Sequence, residues 1–242
     1  MGIFKTKPSV GLGDNVYDEA PGRHSWYGDA YTVPVGSVRG NAAEEGSYFV
    51  GMNAVVGTAI VGHVAPAIAD NDDTPTKAIL HIHNGGPRFI SLDYVKLALE
   101  VVNASSTSTN FVMFVDNHGS SSRTSGGTAI SPKNTRSDQP IATGASVYFG
   151  AVVVSTSTAA KVGQWTVRPV IAVAEDQYHF AFGNSARLPN AATHIGTAIS
   201  NLLVSCAPVT IAPGGNFHLC EANPSGAATG ATYEFEFGYW ER

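Results

Sequence analysis

Two histidines one residue apart, His81 and His83 in "KAILHIHN", have a spacing that could do chemistry. Side chains alternate between the faces of a β-strand, so an H-x-H pair presents both imidazoles to one side. Metal sites use that spacing, but a site needs at least a third ligand. None is marked nearby, so the pair reads as two ordinary strand histidines. "DNDD", residues 70–73, offers oxygen ligands for calcium. It lacks the Gly and the distal Glu of an EF-hand loop and reads as a solvated turn. "DNHGSSS" gathers Asp116, His118 and several serines. A triad needs three groups that converge in space with distinct roles, which neighbours in sequence rarely do. No G-x-S-x-G, H-E-x-x-H, P-loop or G-x-G-x-x-G is present. The residues therefore call for no catalytic site, cofactor or metal. Tyr148, Trp165 and Tyr178 are candidate sugar platforms, although buried core is the stronger reading for each.

The elements that must position these residues read as β. "SYFVGMNAVVGTAIVGHVAPAI", "KAILHIHN", "NFVMFVDN", "ASVYFGAVVVS", "QWTVRPVIAVA" and "QYHFAFG" are rich in β-branched and aromatic residues. In "RFISLDYVKLALEVVNAS" Val95, Leu97, Leu99 and Val101 share one parity, and Lys96 and Glu100 the other. That period of two marks a half-buried strand. Residues 116–140 read as a long polar loop, and 189–200 fit neither a helix nor a strand well. The pattern predicts an all-β domain, an antiparallel sandwich of about eight to ten strands over residues 47–242.

Residues 1–46 differ. They are rich in Gly and Pro and lack a sustained period, yet hold Tyr17, Trp26, Tyr27 and Tyr31. Spaced aromatics in such a segment suggest an extended arm that docks on its own domain or on a neighbouring subunit.

Two cysteines, Cys206 and Cys220, are too few for a disulfide scaffold and match no zinc spacing. "APGGN" between them reads as a hairpin turn. In a ladder that matches Val209 and Ile211 with Phe217 and Leu219, the two thiols come close on the other face. A bridge and two free thiols both remain open.

Bulk composition narrows the function classes. Charged residues make up 14% of the chain, against about 25% in typical soluble domains. So little surface charge suits a subunit packed among other subunits; a secreted or lectin-like β-protein is the alternative. The net charge of −5 comes with no basic run, which disfavours nucleic acid as a partner. "MGIFKTKPSVG" has no apolar core after its lysines and is not a secretory signal, and no apolar run spans a membrane. "MGIFKT" fits the loose myristoylation pattern, which is common by chance.

The stretch "TYEFEFGYWER" alternates as a structural strand. Tyr233, Phe235, Phe237 and Tyr239 should face the core, and Glu234 and Glu236 should face water. Trp240 falls on the glutamate face, to be covered by the chain's own loop or, the favoured reading, by a partner.

"ISNLLVSCAPVTIAPGGNFHLCEANPS", the small-residue loop after it, "TYEFEFGYWER" and the loop "SGGTAISPKNT" together resemble segments of virion structural proteins of tailed bacteriophages. The likeness covers residues 120–150 and 195–242. It implies a jelly-roll-like β-sandwich subunit, most similar to a capsid decoration or cement protein. Such a subunit would be non-enzymatic and sit on the capsid surface of the virion after assembly in the host cytoplasm. It would bind the major capsid protein and its own copies, typically as a trimer. Tyr17, Trp26, Tyr27, Tyr31 and Trp240 are then the candidate interface residues. A carbohydrate- or receptor-binding tail module is the alternative, and a hydrolase the most remote reading.

Overall fold

The period-two runs become strands. The computed structural model describes residues 22–24, 30–32, 43, 45–55, 57–62, 77–102, 109–117, 119–138, 141–155, 159–168, 174–183, 201–222 and 231–242. Met1–Asn41 and Ala42–Arg242 are separate units. In the first, β1 (Gly22–His24) and β2 (Ala30–Thr32) pair antiparallel, a short ladder where the composition shows no strand period.

The second unit carries β3 (Tyr48–Met52), β4 (Ile60–Val61), β5 (Lys77–Asn84), β6 (Ile90–Val101), β7 (Thr109–Asp116) and β8 (Arg123–Ser125). Then come β9 (Thr128–Ile130), β10 (Lys133–Asn134), β11 (Ala145–Val154), β12 (Ala160–Arg168), β13 (Gln177–Phe182) and β14 (Asn201–Cys206). β15 (Thr210–Ile211), β16 (Asn216–Ala222) and β17 (Thr232–Glu241) complete the series. The first sheet runs β10-β3-β17-β6-β13-β14, with β15 on β6 and β4 on β17; the second runs β12-β7-β16-β5-β11-β8, with β9 on β11.

The two sheets face each other across aromatic pairs. Phe149 of β11 stacks on Phe235 of β17, with ring centroids 3.7 Å apart. Phe111 of β7 meets Tyr178 and Phe180 of β13 at 5.2 Å each, and Phe182 meets Phe217 edge-on. The second unit is thus a β-sandwich closed by one large apolar core. Tyr233, Phe235, Phe237 and Tyr239 line the core face of β17, all buried. Gly51 lies under the Phe237 ring, where a Cβ would come within 2.2 Å of Cζ.

The expected antiparallel sandwich is what the strands form, with one parallel pair, β13 and β14. Three expectations are corrected. Val101 is 54% exposed rather than buried with Leu99, because the register with β17 shifts between them and turns the strand over. Within residues 116–140, described but for 118, 139 and 140, β8 and β9 pair with β11, and β10 pairs with β3 of the other sheet. What reads as a loop is largely a strap laid along strand edges, too polar and glycine-rich to show a period. Finally, "APGGN" is no hairpin between Cys206 and Cys220. It carries the chain from β15, on the first sheet, to β16, on the second. Both thiols are buried and free, Cys206 in the main core and Cys220 in a small apolar cluster with Val112, Phe114 and Val152.

One bulge matters for β4. Between Phe149 and Val152 the β11–β5 register slips. Gly150 sits there at φ 80°, and a Cβ on it would lie 2.3 Å from the Val61 carbonyl oxygen. Only glycine lets β4 approach so closely.

Candidate functional site

Strand alternation sorts β5 and β16 into two faces. Leu80 and Ile82 of β5 and Phe217 and Leu219 of β16 enter the core. His81, His83, Asn216 and His218 go to the outer face of the second sheet. The register sets His218 against His81 and Asn216 against His83. The two imidazoles therefore meet directly. His81 Nδ1 and His218 Nδ1 are 3.1 Å apart and the rings stack with centroids at 5.0 Å. Both side chains are fully buried.

The 119–125 segment closes over them. His81 Nε2 lies 3.3 Å from Ser121 Oγ, and His218 Nε2 lies 3.2 Å from Ser122 Oγ. The Ser122 N–H donates to Asn216 Oδ1, and Asn216 Nδ2 donates to the Ser120 carbonyl. The Arg123 guanidinium lies 3.9 Å over the Tyr148 ring, which itself tilts against His81. The result is a continuous chain, Ser121–His81–His218–Ser122, with one proton shared between the facing Nδ1 atoms. Two tautomeric settings satisfy it, each with one donor and one acceptor at every contact.

Electrostatics keep the pair neutral. Burial, then the neighbouring charges of His218, His83 and Arg123, push the His81 pKa down to about 2. Burial lowers His218 to about 4, with the Asp116 carboxylate opposing it. A general base works best near ambient pH. His81 is thus too weak a base to take the Ser121 proton, although the serine–histidine geometry superficially invites that role. His81 and His83 do share a face, as H-x-H requires. Among the described residues, however, no group of three or more His, Cys, Asp or Glu side chains could hold a metal ion.

The outer face of the first sheet is different. A shallow groove of about 440 Å³ is lined by Met52, Lys96, Gln177, His179, Glu234 and Glu236, among others. The Tyr94 hydroxyl and Lys96 Nζ both donate to Glu236 Oε1, the latter at 3.3 Å. Burial raises the Glu236 pKa, but these two donors outweigh it and the net shift is downward. Beside the groove, Thr232 of β17 pairs with both Val61 and Val101, while Glu236 pairs with Met52. Met52, Val61 and Val101 are 54%, 40% and 54% exposed, and Val55, in the turn after β3, is 61% exposed. Met52, Val61 and Val101 lie on the three strands that pair with β17, at its Glu236 and Thr232 positions.

Trp240 lies on the glutamate face, as its parity predicts. It is half-buried, stacks on Tyr48 at 6.5 Å, and its Nε1 is shielded from solvent without a partner among the described residues. The Oγ of Ser91, its register neighbour, is in the same state. Tyr31 falls on β2. Tyr17, Trp26 and Tyr27 lie outside the described residues, as do "DNDD", His118 and residues 189–200. Of the aromatic sugar candidates, Tyr178 is fully buried, Trp165 packs against the core, and Tyr148 is capped by Arg123.

Sequence reasoning missed His218 and Asn216, and weighed the serines of "DNHGSSS" beside His118 without linking them to His81. The alternation of "NFHLC" places His218 opposite Phe217 and Leu219, but no local signal pairs that strand with "KAILHIHN".

The fold and site define a class: a two-sheet all-β sandwich whose second sheet carries a neutral histidine pair under a strap. The chain matches no known family, and comparisons with curated proteins and with solved structures find no match. No helix of the described residues is long and apolar enough to cross a membrane.

Proposed function

We propose that the chain is a non-enzymatic structural subunit of a tailed-bacteriophage particle, a capsid decoration protein that binds the major capsid protein and its own copies as a trimer. The observation that carries the reading is the exposure of four apolar side chains, Met52, Val55, Val61 and Val101, three of them on strands that pair with β17. Exposed apolar side chains gathered on one side of a domain mark contact surfaces. Burial of such side chains contributes about 25 cal/mol per Å² of apolar area, and repetition over many copies makes a rigid shell. The low charge of the chain and the resemblance of its "TYEFEFGYWER" strand to virion proteins support the same reading. The aromatic arm, with Tyr17, Trp26, Tyr27 and Tyr31, is its second contact element, and Trp240 its third.

The test replaces Met52 and Val101 with Lys. Both are surface positions, so the melting temperature should hold within a few degrees. The mass in solution should fall from oligomer to monomer, and co-sedimentation with capsid shells should be lost. A wild-type chain that is monomeric at micromolar concentration and ignores capsid shells overturns the proposal.

A further inference from the structure

We propose that the His81–His218 pair is an acid-released latch: when both imidazoles take up protons, the 119–125 strap lifts from the outer face of the second sheet. This inference does not rest on the assembly reading.

The geometry carries it. One proton serves the 3.1 Å contact between the two Nδ1 atoms. A singly protonated pair still satisfies every contact, since the charged ring donates from both nitrogens and the neutral ring accepts at Nδ1. Asp116, on β7, faces His218, while Arg123, on β8, faces His81. The first proton therefore goes to His218. A second proton sets two N–H donors nose to nose and puts a positive charge on each of the facing rings, next to the Arg123 guanidinium, with His83 on the same face. The Tyr148 ring from β11 supplies no charge to offset it. The Nδ1 contact must break, and the two serine contacts depend on where those rings sit.

The strap is also the weakest element above them. Of its serines, Ser120, Ser121 and Ser125 are exposed and only Ser122 is buried. It carries no large apolar side chain into the core. Apart from the histidine and Asn216 contacts it is held by the Ser155 N–H donating to the Ser122 carbonyl at 2.8 Å, and at its β8 end by the short ladder to β11, by Arg123 on Tyr148 and by Thr124 Oγ1 donating to the Val153 carbonyl. Segments with few buried apolar contacts open locally at small cost.

The direction follows from linkage. In the closed state burial holds His218 near 4 and His81 near 2, against 6.5 for a solvated imidazole. Closure is fully favoured above pH 6.5 and weakens as pH falls. Each histidine that gains a proton only on opening raises the opening constant about tenfold per pH unit. Two give up to about a hundredfold per unit between pH 6.5 and about 4.

Hydrogen exchange read by mass spectrometry on the full chain tests this, with rates corrected for the intrinsic pH dependence of exchange. Between pH 6.5 and 5, protection in a peptide spanning 119–126 should fall steeply while peptides from β5 and β16 keep theirs. Unchanged strap protection, or parallel loss in β5 and β16, overturns the latch. A His81→Gln, His218→Gln double variant keeps a donor and an acceptor at each site but takes up no proton, so its strap should stay protected at pH 5. The same acid loss in that variant overturns the latch. Should the variant not fold, Ser121→Ala with Ser122→Ala leaves both imidazoles but removes their contacts to the strap, which should then exchange freely at pH 7.5. Protection equal to wild type there also overturns the proposal.

Discussion

The ring of Phe149 in the second sheet lies flat on that of Phe235 in the first, with centroids 3.7 Å apart and planes within 12°. This pair sits where the two sheets press together. Phe149→Ala and Phe235→Ala should each cost about 3–5 kcal/mol, the range for truncating a buried phenylalanine. The double variant should lose less than the sum, since the rings share one contact. Urea unfolding of the four proteins measures it; single losses below about 1 kcal/mol would mean the sheets do not meet there.

Tyr233 and Glu221 make the corresponding polar contact across the core. The Tyr233 hydroxyl donates to Glu221 Oε2 at 2.7 Å with both side chains buried. Tyr233→Phe leaves that carboxylate short of a donor, and about 1–3 kcal/mol should be lost. Burial, then the Glu221 charge, raises the Tyr233 pKa well above 10, and burial raises Tyr239 too. The unfolded chain releases those protons near pH 10 and the folded chain holds them. Stability is thus full below pH 10 and should decline above it by about 1.4 kcal/mol per pH unit for each tyrosine. Absorbance titration near 295 nm in the native state should miss both phenols until the protein unfolds.

Both cysteines are buried thiols in different clusters. Burial raises Cys206 to about 12 and Cys220 further still. Neither forms thiolate at neutral pH, and the thiolate is the reactive form. Ellman's reagent should therefore find essentially no thiol in the native protein at pH 8 and two in denatured, unreduced protein. Fewer than two in the denatured sample would indicate a bridge and contradict the sheet assignments of β14 and β16.

Trp240 carries an indole N–H with no acceptor among the described residues. A buried donor without a partner costs about 1–3 kcal/mol. Trp240→Phe keeps a ring on Tyr48 and removes that donor, so the isolated protein should gain about 1 kcal/mol, whereas Trp240→Ala should lose stability. If a partner supplies the acceptor, Trp240→Phe should still weaken assembly. A clear drop in melting temperature for Trp240→Phe would show that the indole N–H is already satisfied within the chain.

The strands were legible wherever side chains alternate between core and water. "KAILHIHN" and "TYEFEFGYWER" gave their strands nearly to the residue, with Tyr233 to Tyr239 on the buried parity. Pairing was not legible, because strand partners are chosen by the whole sandwich. His81 and His218 are 137 residues apart, and nothing local in either strand names the other. The cysteine register failed for the same reason: a tight Pro-Gly-Gly turn looks alike whether it folds a hairpin or changes sheets. The strap escaped detection because its strands are two or three residues long and lean on edges, where no apolar face is required.

β17 occupies a central place, with β3 along one edge and β6 along the other. Its partner Leu99 on β6 comes 134 residues before Tyr233. A nascent chain has therefore emitted all of β7–β16 after β6 before that slot can be filled. During that interval β3 and β6 each present an open row of amides and carbonyls, and the aromatic lining of the core lacks four of its rings. Such contacts of long sequence separation slow folding and leave intermediates prone to clumping. Yield at elevated expression temperature, and rescue by chaperones that shield strand edges, should depend on how promptly residues 232–241 arrive.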